Sequence, residues 1–193
     1  MASSQLDKLF SDLLVSQQQA VNSLPPVHLW NPPLSGDIDI VIDREGRWIH
    51  EGGEIKREEL VKLFASILVR QGDQYFLLTP VEKWRIKVDI APLFVIAASR
   101  QQRVGQQAII LTTSTGDIVV VDEAHPISLE ETSGQPSPQV IVRNNLPALI
   151  SRNVYYQLIE WAFEETDKRT DNLYITSMGE RFLLGELLPG YAV

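Results

Sequence analysis

The chain has 193 residues, no cysteine and a formal charge of −8. Without cysteine, disulfides, iron–sulfur clusters, thiolate zinc sites and cysteine nucleophiles are excluded, and a chain of this length buries enough surface to fold without such staples. No run of about 18 uncharged apolar residues occurs and Met1–Gln5 lacks the basic start of a secretory signal, so the expectation is a bacterial-type cytosolic protein with no membrane span.

Residues 4–22 carry Leu6, Leu9, Phe10, Leu13, Leu14 and Val21 close to helical spacing. They predict an amphipathic helix that Leu24-Pro25-Pro26 ends, because proline removes a donor and pushes its predecessor out of helical geometry. Such a helix either packs on the main body or is offered to a partner. A turn-rich stretch, His28 to Gly36, then feeds the alternation Asp37-Ile38-Asp39-Ile40-Val41-Ile42. With Asp43-Arg44-Glu45-Gly46 as turn and Arg47–His50 returning, this reads as a hairpin. A helix is expected over 57–69, with Leu60, Val61, Phe64, Ile67 and Leu68 on one face, followed by a strand at Tyr75–Thr79.

The second half is richer in strands: Trp84–Val88, Leu93–Ala97, then Ala108–Thr112 and Ile118–Val121 flanking Thr115-Gly116-Asp117 as a hairpin. Residues 130–138, dense in Ser, Gly and Pro, read as a loop. Gln139–Val142 reads as a strand. The longest helix is expected over 147–165, with Pro147 in its first turn and Leu149, Ile150, Val154, Leu158, Trp161 and Ala162 inward. Leu173–Thr176 and Phe182–Leu184 close the chain as a hairpin around Met178-Gly179. Both halves run strands, an apolar-faced helix, then a strand. The expected fold is therefore α+β: an N-terminal helix over 1–23, a first lobe over 24–90 and a similar second lobe over 91–193. The crevice between lobes is the default ligand site.

Charge is spread unevenly. Residues 37–104 carry eleven bases and eleven acids, whereas 105–193 carry five bases against twelve acids. An acidic half repels nucleic-acid backbones, which argues against non-specific coating of DNA. None of His28, His50 and His125 has a second ligand at helical spacing, and no phosphate loop, nucleophile elbow or dinucleotide fingerprint occurs, so no cofactor is expected. Asp37 and Asp39 share one strand face. Such a pair can hold a divalent cation or share a proton, or it can be the solvated face of a strand whose isoleucines form the core. Lys83, Arg85 and Lys87 likewise share a face, either guarding a sheet edge or forming an anion- or partner-binding strip.

The order of short motifs resembles the bacterial family named domain of unknown function 1285. These motifs are His28-Leu29-Trp30-Asn31-Pro32-Pro33, Gly36-Asp37-Ile38-Asp39, Thr79-Pro80-Val81-Glu82-Lys83, Thr115-Gly116-Asp117, His125-Pro126, Pro138–Arg143, Leu149-Ile150-Ser151-Arg152 and Tyr155-Tyr156. The resemblance covers roughly residues 24–188. It implies two similar α+β lobes, the C-terminal one resembling a pleckstrin-homology-like barrel. It also implies a signalling role through a protein or nucleic-acid ligand bound between the lobes, and no reaction. Two functions follow. The first is a non-enzymatic binding module that contacts a protein or anionic ligand through Trp30, Asp37, Asp39, Glu82, Lys83, Arg85, Lys87 and Arg143. The second is a metal-assisted hydrolase with Asp37, Asp39 and Glu82 as ligands and Lys83 or His125 assisting.

Overall fold

In the computed structural model the described residues are 24–132, 135–165 and 171–186. The helix expected over 4–22 lies outside them. The chain divides into two compact units, Met1–Asp89 and Ile90–Val193. Among the described residues no helix is long and apolar enough to cross a membrane.

The first unit is built on strands β1 (Leu34–Ile42), β2 (Trp48–His50), β3 (Gly53–Glu54), β4 (Leu68–Gln71), β5 (Gln74–Leu78) and β6 (Lys83–Val88), with helix α1 (Glu58–Ser66) between β3 and β4. The sheet order is β3-β2-β1-β6-β5-β4. Every pair is antiparallel except β1 and β6, which run parallel. The predicted hairpin over residues 37–50 is present. Asp43 explains its turn, since one carboxylate oxygen accepts the N–H groups of Glu45 (3.0 Å) and Arg47 (2.9 Å). The alternation of β1 sends Ile38, Ile40 and Ile42 inward. Phe64 of α1 meets Trp48 there, ring centroids 6.1 Å apart. The helix stops at Ser66 rather than residue 69, because Leu68 and Val69 pair with Leu77 and Phe76 as a strand.

The second unit contains β7 (Leu93–Arg103), β8 (Gln106–Thr113), β9 (Ile118–Val120), β10 (Ile127–Thr132), β11 (Gln135–Arg143) and β12 (Leu146–Ile150), then helix α2 (Arg152–Glu165) and a hairpin of β13 (Asn172–Ser177) and β14 (Glu180–Glu186). Its sheet order is β10-β11-β12-β7-β8-β9, again with one parallel pair, β7 and β12. The hairpin lies beside β8 through β13 and beside β10 through β14, so the sheet curls to bring those two strands to one hairpin. Ser177 pins the contact: its buried hydroxyl accepts from the Ile109 N–H (2.9 Å) and donates to the Val121 carbonyl (2.6 Å).

The two lobes are similar, through their sheets. Each has two three-stranded antiparallel meanders joined at a parallel seam, with β1 and β6 corresponding to β7 and β12. The helices break the correspondence, α1 lying between the meanders and α2 after the second. The strand–helix–strand repeat expected from sequence therefore aligned the wrong parts. The fold is also mostly β rather than a balanced α+β. Two misreadings account for the difference. Residues 146–150 form a strand and not the first turn of a helix, and Pro147 sits beside a register shift, where a missing donor is tolerated. The expected loop over 130–138 is largely the pairing of β10 with β11, including Glu131 with Pro136 and Leu129 with Pro138.

Candidate functional site

The parallel seam of the first unit gathers most of the residues singled out from sequence. Gly36 lies opposite Trp84, Asp37 opposite Arg85 and Val41 opposite Lys87. The register needs Gly36, whose φ is +143° and whose absent Cβ would lie 3.3 Å from the Trp84 ring. The Lys83 N–H donates to the Ser35 hydroxyl (3.1 Å), tying the start of β6 to β1. Buried Thr79 shapes the turn before β6, its hydroxyl oxygen accepting the Glu82 N–H at 2.9 Å. Glu82 thereby reaches the Trp84 indole N–H, 3.2 Å from its carboxylate. Leu34 and Val81 are exposed at the same end of the two strands.

The charged face is partly self-compensated. Arg85 Nε donates to Asp37 Oδ1 at 2.7 Å, with the Asp37 side chain 72% exposed. Lys83 Nζ donates to Gln71 Oε1 (3.1 Å) and stands 5.2 Å from the Phe76 ring centroid, so it covers an apolar residue on this face. Lys87 and the Asp39 carboxylate are exposed, and no ion pair among the described residues holds either. The Asp39 carbonyl lies 2.7 Å from His50 Nδ1; since the carbonyl only accepts, that nitrogen carries the proton. β6 is not an edge strand, because β1 and β5 flank it. Edge protection therefore does not account for its three bases.

The remaining candidates are not on β1 or β6. Trp30 is half-buried just before β1, its backbone N–H closing a short 3₁₀ turn (Val27–Leu29) on the Val27 carbonyl at 3.2 Å. Arg143 belongs to the second unit and is taken up by Asp117, Nε to Oδ1 at 2.8 Å, with both side chains largely buried. Thr113 (3.0 Å) and Thr115 (2.8 Å) donate to the other Asp117 oxygen. Burial pushes the Asp117 carboxyl up, but the hydrogen bonds and charge of Arg143 and the two threonine hydroxyls outweigh it and hold the group below its usual value. His125 Nδ1 is 2.9 Å from Asp122. Among the described residues no group of three His, Asp or Glu side chains is placed to hold a metal ion, so Asp37, Asp39 and Glu82 do not converge as ligands.

Sequence reasoning did not single out the Gly36–Trp84–Glu82 contact or the Gln71–Lys83 link. A glycine ahead of an alternating strand was the only visible sign of the first, and nothing local signals the second.

Comparison with known proteins places this geometry. "Domain of unknown function (DUF1285), N-terminal domain" matches residues 25–91, and "Protein of unknown function (DUF1285), C-terminal domain" matches residues 92–184. The solved structure of a DUF1285 family protein from Silicibacter pomeroyi DSS-3 is 37% identical with a TM-score of 0.77, covering 90% of this chain and 94% of its own. A second, from Shewanella baltica OS155, is 30% identical with a TM-score of 0.51, covering 63% of this chain and 90% of its own. No curated protein matches. With both halves matched in order and a 37% identical relative spanning nearly its whole length, the chain belongs to the DUF1285 family.

Proposed function

We propose that this protein is a non-enzymatic binding module, suited to signalling, whose first unit receives an acidic protein segment on the face formed by β1 and β6. The observation that carries this reading is the central position of β6. Charged side chains on an inner strand do not deter edge pairing, and Lys87 is exposed and in no ion pair among the described residues, on a unit that is otherwise acidic. Asp37 neutralises Arg85, so Lys83 and Lys87 supply the attraction against the one exposed carboxylate of Asp39, while Leu34 and Val81 add apolar contact at one end. In the second unit, a curled sheet followed by α2 supports the pleckstrin-homology-like reading, and the hairpin β13–β14 extends it.

Binding of a short glutamate-rich peptide to the full chain tests the proposal, with a single-stranded oligonucleotide of equal charge in parallel. Lys87→Glu should weaken the peptide and leave the fold intact, since exposed substitutions usually cost within about 0.5 kcal/mol. Wild-type affinity should fall as salt is raised. Equal binding by wild type and variant refutes the reading. Preference for the oligonucleotide would move the ligand to a different class.

A further inference from the structure

We propose that the acidic segment received on the β1–β6 face is an extended stretch with two carboxylates four residues apart and a basic residue midway between them. The inference rests on the binding reading given above and adds the pattern that the face selects. β6 pairs with β5 from Lys83 to Ile86 without a register shift and continues to Val88, so Lys83, Arg85 and Lys87 leave one face at two-residue steps. Lys83 and Lys87 are therefore about 13 Å apart along the strand. Between them Arg85 is neutralised by Asp37, with Nε 2.7 Å from Oδ1. Along β6 the row offers a positive charge, a compensated pair and a second positive charge. Lys83 Nζ is held by Gln71 Oε1 (3.1 Å) and the Phe76 ring, which fixes that end of the row.

β1 keeps the second charge uncompensated. Had the strands stayed in step after Asp37 and Arg85, Asp39 would lie opposite Lys87 and could neutralise it in the same way. Instead Val41 is opposite Lys87, with three residues of β1 intervening where β6 has only Ile86. An irregularity of this kind re-aims a side chain. Burial still alternates along β1, Ile38 and Ile40 inside and Asp37 and Asp39 outside, so Asp39 remains on the charged face with no residue of β6 opposite it. Its carbonyl accepts His50 Nδ1–H from β2 at 2.7 Å, while its carboxylate is exposed. The face thus presents one carboxylate beside two ammonium groups. An unbroken run of acids, or a phosphodiester backbone, meets Asp39 with like charge, whereas a lysine or arginine midway along the segment meets it with opposite charge. The lysine spacing selects the conformation. About 13 Å corresponds to four residues of extended chain at about 3.3 Å each. In a helix it takes about nine residues, or about two and a half turns, and leaves the two carboxylates on opposite sides.

The test titrates the isotope-labelled full chain with capped seven-residue peptides and follows backbone amide chemical shifts, which give both affinity and location. The first peptide has glutamate at its second and sixth positions, lysine at the fourth and serine elsewhere. The second has the same residues with the two glutamates adjacent. The third replaces the lysine of the first by serine. The first should bind wild type at least about fivefold more tightly than the second, with shifts on β1 and β6. The third should bind about threefold more weakly than the first although it is more negative, and Asp39→Asn should abolish that loss. This variant keeps the backbone carbonyl that His50 uses. Should it nonetheless fail to fold, Lys87→Glu decides, since it should erase the preference for the first peptide over the second. Equal binding of the first two peptides by wild type, a lysine effect that Asp39→Asn leaves unchanged, or shifts confined to other segments overturns the proposal. If the first two bind equally and Lys87→Glu weakens both, the face remains the binding surface and only the pattern falls. Absence of binding by every peptide removes the underlying reading as well.

Discussion

The tip of the β7–β8 hairpin offers a perturbation whose sign follows from backbone geometry alone. Arg103 pairs with Gln106, leaving Val104 and Gly105 as a two-residue loop with φ of +51° and +77°. Both angles are those of a type I′ turn, whose first position favours asparagine. A β-branched residue is a steric outlier there, and the left-handed region costs an L-residue roughly 1–2 kcal/mol. Val104 is 97% exposed, so its side chain offsets none of that through burial. Val104→Asn should therefore stabilise the second unit by about 1 kcal/mol, with asparagine still carrying some strain. That corresponds to a Tm rise of roughly 2–4 °C if the chain melts as one transition, and roughly 4–8 °C if the second unit melts alone. Calorimetry with urea titration at constant m-value measures it. Val104→Ala removes the branching but keeps the cost that an ordinary L-residue pays in the left-handed region, so its gain should be smaller than that of Val104→Asn. An unchanged or lower Tm for Val104→Asn, or an equal gain for Val104→Ala, would refute the argument.

Three further outcomes are expected. Asp117→Ala strands Arg143 in a largely buried site and should cost about 3–5 kcal/mol by urea titration. Because the folded Asp117 carboxyl lies below its unfolded value near 3.8, its contribution is full above that pH and fades as pH falls through the folded value. The acid limb of the stability curve should accordingly be shallower in Asp117→Asn than in wild type. Gly36→Ala combines a φ of +143° with a Cβ 3.3 Å from the Trp84 ring, so it should destabilise the first unit by roughly 1–3 kcal/mol and alter Trp84 fluorescence. Phe64→Ala, at a fully buried ring stacked on Trp48, should lose about 3–5 kcal/mol in chemical denaturation.

Features encoded over a few neighbouring residues were legible in the sequence. Alternation in Asp37–Ile42 and the turn residues at 43–46, 115–117 and 178–179 located three hairpins, and Val154, Leu158 and Ala162 of the expected inward row are buried, whereas Trp161 is half-buried and Leu149 and Ile150 lie on β12. Features that depend on a distant partner were not. Leu146–Ile150 is a short apolar run that fits a helix or a strand equally well, and only pairing with β7 and β11 settles it. Pro136 and Pro138 argued for a loop, yet they lie on the part of β11 beyond β12, whose ladder starts at Gln139 opposite Leu149. A missing donor on that side costs no ladder bond. The same division holds at the site. The shared face of Lys83, Arg85 and Lys87 follows from period two, but the central place of β6 and the union of Arg85 with Asp37 do not.

The parallel seam also orders the steps of folding. Each meander closes through turns of a few residues, whereas Asp37 and Arg85 are 48 residues apart in the chain and Leu93 meets Ala148 across 55. Loop-closure entropy grows with that separation, so the meanders can collapse early while each seam waits for a long-range search. Residues on the β1–β6 face come into register only when that search ends. An acidic segment that grips both strands at once would therefore bind the completed unit and not its separate halves, and would slow its unfolding in proportion to how firmly it holds the seam.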